Sequence, residues 1–152
     1  MLEAYAAVPD AFTSTAEERA NEPDAWWAQR IAGPPERGAA YGAFLSGDKL
    51  CGAVAVEYAS KPKTAHKAHL IGMYVRSARR GRGFGRALVD AVLDHARQRP
   101  GTETITLTVT EGNDAAIALY AACGFVEFGQ EPMAIRGADG FKTKVHMWRR
   151  VR

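Results

Sequence analysis

The chain has 152 residues, of which 47% are hydrophobic and 24% are charged, and its formal net charge is +3. These values predict one globular domain spanning residues 1–152 with a single core, and the net charge is too small to indicate a nucleic-acid partner. No apolar run reaches the roughly 18 residues that span a bilayer, and the start lacks a signal-peptide layout, so we expect a cytoplasmic protein without a membrane partner.

The N-terminal segment from Leu2 to Ile31 has a helix-favouring composition that Pro9 and Pro23 interrupt. A run of threonine and serine stands ahead of Glu17 and Glu18, and hydroxyl side chains in that position cap the first N–H groups of a helix. We therefore predict two short helices in this segment.

Three strand-like runs follow a proline-containing loop at Gly33 to Gly38. Ala39 to Leu45 and Leu50 to Tyr58 are apolar runs joined by turn residues, which predicts a hairpin. The segment Lys61 to Lys67 is polar and turn-like, and His69 to Val75 is a short apolar strand.

The second half of the chain alternates helices and strands. Apolar residues recur at helical spacing between Gly83 and Arg97, and Thr104 to Val109 alternates as a half-buried strand does. A further helix begins at Asn113 or Asp114, both good caps, and runs to Cys123. The strand, helix and strand in sequence predict a crossover connection in a mixed sheet.

The C-terminal part predicts a last pair of strands, Val126 to Phe128 and Lys142 to Trp148, separated by a long excursion that contains Pro132. Cys51 and Cys123 are the two cysteines of the chain. In a cytoplasmic protein we expect them to be reduced, buried thiols rather than a disulfide, and no paired spacing of histidines or cysteines indicates a metal site.

An arginine- and glycine-rich loop, Arg80 to Arg86, connects a predicted strand to a predicted helix. Backbone N–H groups at a helix start have no helical partner, and together with the helix dipole they bind anions. Glycine allows close approach of the backbone, and arginine adds charge-assisted hydrogen bonds. We therefore predict a phosphate site; the alternative is that the glycines only shape a tight turn and the arginines form a solvated surface.

Two familiar phosphate-binding patterns are absent from this loop. The third glycine of GxGxxG is replaced by Arg86 or by Leu88, depending on the starting glycine. The Gly-Lys-Ser/Thr ending of a Walker A loop is also missing. The loop therefore predicts neither a dinucleotide-binding domain nor a P-loop nucleotidase.

The loop instead resembles a different family. Arg80, Gly83 and Gly85 match the signature (Q/R)xxGx(G/A) of the GNAT superfamily of N-acetyltransferases. The segment from Asn113 to Phe125 resembles that family's later motif, in which an Asn precedes a helix that carries a Tyr and ends in Gly-Phe. The chain is identified as a member of the superfamily on these two blocks.

The resemblance implies an α/β fold of the α+β mixed-sheet type, with about six mostly antiparallel strands flanked by about four helices. The usual first strand of the family has no counterpart in this sequence, so either the strand is lost or the chain is short at its start. Its loss would expose a sheet edge, and an exposed edge favours pairing with a second copy. We therefore hold a homodimer as a hypothesis.

The resemblance further implies acetyl-CoA as co-substrate and no metal. The strand ending at Val75 would diverge from the strand beginning near Thr104, and the pantetheine arm would pair with the exposed main chain. A donor near Met73 or Tyr74 would polarise the thioester carbonyl. The implied cofactor-binding residues are Met73, Tyr74, Val75, Arg80, Gly81, Arg82, Gly83, Phe84, Gly85, Arg86, Asn113 and Tyr120.

The same match implies that Tyr120 is the general acid toward the coenzyme A thiolate, with simple core packing as the alternative. Asn113 would hydrogen-bond the pantetheine arm, or cap the helix, or both. Some members that acetylate protein N-termini carry a glutamate at the position of Thr108. Glu57 and Glu111 are therefore the candidate catalytic bases, acting directly or through a water, unless they are only solvated carboxylates.

The implied activity is transfer of an acetyl group from acetyl-CoA to a primary amine, by direct attack in a ternary complex. Because Thr108 replaces the glutamate, we expect a small-molecule amine rather than a protein N-terminus. The acceptor cleft would involve the N-terminal helices, Lys61 to Lys67 and the closing hairpin. The alternatives are a protein N-terminal or lysine acetyltransferase, an idle acyl-CoA-binding sensor, and a nucleic-acid-binding module, which the scarcity of aromatics near the arginines disfavours.

Overall fold

The structure is a computed structural model that describes residues 1–152. Five α-helices are present: α1 (Leu2–Ala7), α2 (Ala16–Ala20), α3 (Asp24–Ala32), α4 (Phe84–Gln98) and α5 (Asp114–Ala122). The strands are β1 (Gly38–Leu45), β2 (Lys49–Tyr58), β3 (Lys67–Val75), β4 (Thr104–Thr110), β5 (Val126–Gly137) and β6 (Gly140–Arg150). Short 3₁₀ turns occur at Pro9–Ala11, Pro62–Thr64 and Ser77–Arg79.

The strands form one six-stranded sheet in the order β1-β2-β3-β4-β6-β5. Only the β3–β4 pair is parallel, and α4 connects these two strands. All other neighbours are antiparallel. The mixed, mostly antiparallel sheet is therefore confirmed, and β1 forms one of its edges without a further strand outside it.

The core lies between α4, α5 and one face of the sheet. Helix α4 buries Leu88, Val89, Val92, Leu93 and Ala96, a set with the spacing of one helical face. Strand β4 alternates, so Ile105, Leu107 and Val109 enter the same cluster. Its threonines point to the opposite face, which we call the front face of the sheet.

The N-terminal segment differs from the prediction in having three α-helices instead of two. Thr15 and Glu18 form a complete capping box at the start of α2, with both reciprocal hydrogen bonds. Pro23 occupies the N-cap position of α3. The helix start signal was correct, but Pro9 and Pro23 separate three helices because each begins a new turn of helix.

The predicted long excursion after Phe128 was wrong. Strand β5 continues to Gly137 and forms a hairpin with β6. Two register shifts interrupt the pairing, between Glu127 and Gly129 and between Glu131 and Ile135. Pro132 lies in the second shift, on an edge strand, where its missing N–H breaks no ladder. These irregularities conceal the strand in the sequence.

No helix combines the length and the apolar composition required to span a bilayer. Cys51 and Cys123 are both buried and unpaired.

Replacing Leu93, which is 2% exposed in the centre of the core, with alanine should lower the free energy of unfolding by about 2–5 kcal/mol. The lost methyl groups leave a cavity that α4 and the sheet cannot close. The same change at Leu50, which is 40% exposed, should cost less than about 1 kcal/mol. Chemical denaturation measures both, and equal losses would contradict a core centred on α4.

Candidate active site

The parallel strands β3 and β4 diverge from each other. Their register pairs end at His69 and Thr106, although β3 continues to Val75 and β4 to Thr110. A cleft of about 960 Å³ opens in the wedge between them, lined by residues 69–75 on one side and 108–113 on the other. This volume is within the usual range for small-molecule and cofactor sites. The predicted divergence of the two strands is confirmed.

A bulge in β3 shapes one wall of the cleft. Ala55 pairs with Ile71 and Ala53 pairs with Tyr74, so Gly72 and Met73 together oppose a single residue of β2. Gly72 has a φ of +62°, a left-handed conformation that glycine adopts readily. At this bulge Gly72 and Met73 leave the regular ladder, and both residues line the cleft. A glycine inside an apolar strand is the signal by which the sequence could have revealed it.

The glycine-rich loop closes one end of the cleft. The backbone N–H groups from Gly81 to Arg86 have no hydrogen-bond acceptor within the chain, since the first bond of α4 is donated by Ala87 to Gly83. Gly83 is the N-cap residue of α4, with a φ of +81° and no side-chain cap. No heavy atom would lie within 4 Å of a Cβ placed on Gly83. The loop therefore offers free donors, open space and the positive end of a helix dipole.

Arg80, the arginine of the (Q/R)xxGx(G/A) signature, connects this loop to the end of β3. Arg80 donates through Nε to the carbonyl of Val75 at 3.0 Å, and its guanidinium lies 5.9 Å from the ring centroid of Tyr74. Arg80, Gly81, Gly83 and Phe84 all line the cleft. The guanidinium is thereby held at the junction between β3 and the free N–H groups, with its terminal nitrogens available to an anion.

Helix α5 supplies two polar side chains to the cleft, Tyr120 and Asn113. The Tyr120 ring packs edge-on against Phe125, with centroids 5.9 Å apart, and the residue is 5% exposed. Its hydroxyl makes no hydrogen bond within the chain, and the hydroxyl oxygen is not completely enclosed by protein atoms. Burial, with a smaller contribution from Cys123, raises the pKa of Tyr120. The ring packs in the core while the hydroxyl remains a protonated donor toward the cleft.

Asn113 occupies the N-cap position of α5, but its side chain forms no capping hydrogen bond. The backbone carbonyl of Asn113 accepts from Ala116 and Ile117 instead. The amide of Asn113 is therefore free to bind a ligand in the cleft.

Several predicted residues lie outside the cleft wall. Glu57 is not among the lining residues; its side chain is 56% exposed and lies 3.9 Å from Arg30. Arg82, Gly85 and Arg86 also do not line the cleft. A Cβ on Gly85 would lie 3.0 Å from Leu119, so Gly85 allows α4 and α5 to approach closely. Met73, Tyr74, Val75 and Glu111 do line the cleft.

The front face contributes residues that were not predicted from the sequence. His69 lines the cleft, and its Nδ1 lies 2.9 Å from Oγ1 of Thr106. Lys144 also lines the cleft and is buried; its ammonium donates to Thr110 at 2.8 Å and to the carbonyl of Ala11 at 3.2 Å. Thr110 in turn donates to the carbonyl of Asp10. These bonds fix the Pro9–Ala11 turn to the sheet, so that residues 8–13 form a further wall of the cleft.

The remaining parts of the predicted acceptor cleft are placed elsewhere. Residues 61–67 do not line the cleft, and the closing hairpin contributes only Lys144.

Desolvation lowers the pKa of the Lys144 ammonium, and the negative charge of Glu131 opposes that effect.

Comparison with known proteins gives a single family. The sequence pattern of the acetyltransferase (GNAT) family matches residues 2–125. N-alpha-acetyltransferase RimI of Mycobacterium tuberculosis is 33% identical over 125 residues, which are 80% of this chain and 73% of that protein. L-methionine sulfoximine/L-methionine sulfone acetyltransferase of Pseudomonas paraeruginosa is 37% identical over 60 residues, which are 40% of this chain and 34% of that protein. The matches cover less than half the length of several further relatives.

The fold is also similar to that of a solved structure, yncA from Salmonella typhimurium with its cofactor acetyl-CoA. The TM-score is 0.78 at 20% identity, and the superposition covers 99% of this chain and 85% of the other.

Proposed function

The chain belongs to the GNAT family of acetyltransferases, and we propose that it transfers the acetyl group of acetyl-CoA to the primary amine of a small molecule. The observation that carries this proposal is the wedge between β3 and β4. It leads from the unpartnered N–H groups of residues 81–86 at one end to the unpartnered hydroxyl of Tyr120 in its wall. Free donors at a helix N-terminus bind phosphates, and a buried phenol can give up a proton to a leaving group.

The cofactor is proposed to bind along the wedge. The pyrophosphate lies on the loop at Gly83, where nothing obstructs a close approach, and Arg80 adds charge from the side. The pantetheine amides pair with the main chain of β3 as an added strand would, and Asn113 contacts the same arm. This placement uses polar groups that otherwise have no partner, which is the state expected of a ligand site before binding.

The chemistry proposed is direct attack. The amine nitrogen bonds to the thioester carbonyl carbon, and the oxyanion that forms is stabilised by main-chain N–H groups at the bulge near Met73. The carbon–sulfur bond then breaks, and the thiolate of coenzyme A takes the proton of the Tyr120 hydroxyl. The nitrogen loses one proton to a base, so amide and free thiol are the products. No covalent enzyme intermediate is required.

The proposed acceptor is a small amine. Thr108 lines the cleft, and by the resemblance it occupies the position at which some members that acetylate protein N-termini carry a glutamate. Residues 8–13, fixed by Thr110 and Lys144, wall the acceptor side and limit its size. The similarity to an acetyltransferase named for methionine sulfoximine and sulfone supports the same class.

A second acceptor class, a peptide N-terminus, is favoured by the similarity to RimI, which extends over 80% of this chain. The two classes differ in size and in the presence of a peptide bond beside the amine, so they can be distinguished with one assay.

Calorimetric titration of acetyl-CoA tests cofactor binding, and we expect a dissociation constant in the micromolar range. Thiol release is then followed with three acceptor sets: free amino acids and their sulfone derivatives, peptides with free N-termini, and N-terminally blocked lysine peptides. We expect turnover with the first set. Turnover only with peptides would reassign the acceptor. Acetyl-CoA binding without turnover of any set would favour a sensor, and no binding by folded protein would refute the proposal.

A further inference from the structure

We propose that His69 is the general base of the acetyl transfer and that its Nε2 accepts the proton of the attacking amine. This inference rests on the proposed function and adds the residue that completes its proton transfers. The candidates predicted from the sequence for this role were Glu57 and Glu111.

The position of His69 places its ring where the two strands begin to diverge. His69 and Thr106 form the last register pair of β3 and β4, and the ring lines the cleft that opens beyond them. The bulge at Gly72 and Met73 follows on the same strand. The imidazole therefore lies at the closed end of the wedge, on the front face of the sheet, where an amine from the acceptor side would meet a thioester held along β3.

The hydrogen bonds around His69 determine which of its nitrogens is free. Nδ1 lies 2.9 Å from Oγ1 of Thr106, and that hydroxyl lies 3.3 Å from the carbonyl oxygen of Ala68, to which it donates. A hydroxyl has one hydrogen, so after donating to Ala68 it can only accept from His69. Nδ1 thus carries the proton and Nε2 carries the lone pair. This is the tautomer that a histidine base requires, with its orientation set by a second residue.

The environment keeps the imidazole neutral near pH 7. Burial lowers the pKa of His69 below its ordinary value, and His146 on β6 contributes in the same direction. Glu57 on β2, the register partner of His69, and the backbone of Thr106 on β4 act in the opposite direction without reversing the shift. Because its pKa lies below the ordinary value, the imidazole is mainly neutral at pH 7 and can accept a proton.

The two carboxylates are less suited to the task. Glu57 does not line the cleft, and its side chain is more than half exposed and faces Arg30. Glu111 does line the cleft but is exposed, beyond the end of β4. Glu57 instead acts on His69 as a neighbouring negative charge that favours the protonated ring once the proton has been transferred.

The proton transfers balance with His69 as the base. Attack creates a positively charged nitrogen and an oxyanion. Nε2 takes one proton from that nitrogen, the carbonyl re-forms as the carbon–sulfur bond breaks, and Tyr120 protonates the departing sulfur. Transfer of one proton from the imidazolium to the tyrosinate, through solvent, then restores both residues. No other reactant is consumed.

The His69→Gln variant should bind acetyl-CoA as the native protein does but show a kcat lower by about 10²–10⁴-fold. The native kcat should fall as the pH decreases through the lowered pKa of His69, below about 6.5. This fall, the acidic limb of the plot of kcat against pH, should be missing in the variant. His66→Gln is the matched control, because His66 lies in the preceding turn and does not line the cleft. It should leave kcat and the limb unchanged.

The Thr106→Val variant separates positioning from catalysis. It removes the acceptor for the Nδ1 proton and keeps the ring, so we expect a loss of kcat of about tenfold with the acidic limb retained. A His69→Gln variant that binds acetyl-CoA and keeps native kcat and the limb would overturn the assignment.

Nitrogen-15 NMR of the imidazole tests the same inference without turnover, so its failure is distinct from failure of the proposed function. In the native protein we expect the Nδ1–H tautomer at His69 and a midpoint of titration below about 6.5. An Nε2–H tautomer, or a ring that stays protonated at neutral pH, would refute His69 as the base even if acetyl-CoA binds. In Thr106→Val the Nδ1–H preference should be lost.

Discussion

Replacing Tyr120 with phenylalanine is expected to lower kcat by about 10²–10⁴-fold, the usual contribution of a general acid, a much larger effect than any on acetyl-CoA binding. The substitution removes one oxygen and keeps the ring that packs against Phe125. Because the hydroxyl has no partner within the chain, its removal leaves no other polar group unpaired, and stability should change little. The two roles considered for Tyr120, acid and packing, are therefore separated by this one change.

Tyr58→Phe is the matched control for Tyr120→Phe. Tyr58 is also buried, at 8% exposure, burial also raises its pKa, and its hydroxyl has no hydrogen-bond partner. It does not line the cleft. We expect Tyr58→Phe to retain kcat, as measured by thiol release at saturating acetyl-CoA. A Tyr120→Phe protein as active as this control would show that Tyr120 serves packing alone.

Gly83→Asp is expected to weaken acetyl-CoA binding by about 100-fold or more. The new carboxylate would stand at the N-cap of α4, among the free N–H groups proposed to hold the pyrophosphate. Like charges brought together in a binding site cost several kcal/mol, and about 2.7 kcal/mol corresponds to a hundredfold change in affinity. Calorimetric titration measures the change directly.

Gly101→Asp controls for the backbone effect of the Gly83 substitution. Gly101 has a φ of +78°, close to the +81° of Gly83, and open space around it. It follows the other end of α4. Each substitution should lower stability by about 1–2 kcal/mol, the cost of a left-handed non-glycine residue, but only Gly83→Asp should affect binding. Equal affinities of the two variants would place the pyrophosphate elsewhere and leave the loop as a structural turn.

The sequence by itself determined the elements whose signals are local. The face of α4 was readable from Leu88 to Ala96 because apolar residues at helical spacing lie on one side of a helix. The start of α2 was also readable, because the two residues of its capping box, Thr15 and Glu18, are only three positions apart in the sequence. The signal of the loop proposed to bind an anion is also local, because free backbone donors are a property of any helix start. The resemblance to the family followed from two local blocks, the loop with Arg80, Gly83 and Gly85 and the segment from Asn113 to Phe125.

The tertiary structure alone decided which distant residues meet. His69 and Thr106 are 37 residues apart and come into contact only through the register of the parallel pair β3–β4. Glu57 was placed outside the cleft, and Lys144 inside it, by the sheet order and by the position of the Pro9–Ala11 turn. Register, bulges and strand divergence result from packing summed over the whole sheet, and shifting a strand by one residue reverses the face of every side chain. For that reason the loop proposed to bind the cofactor could be located from the sequence, whereas the proposed base required the fold.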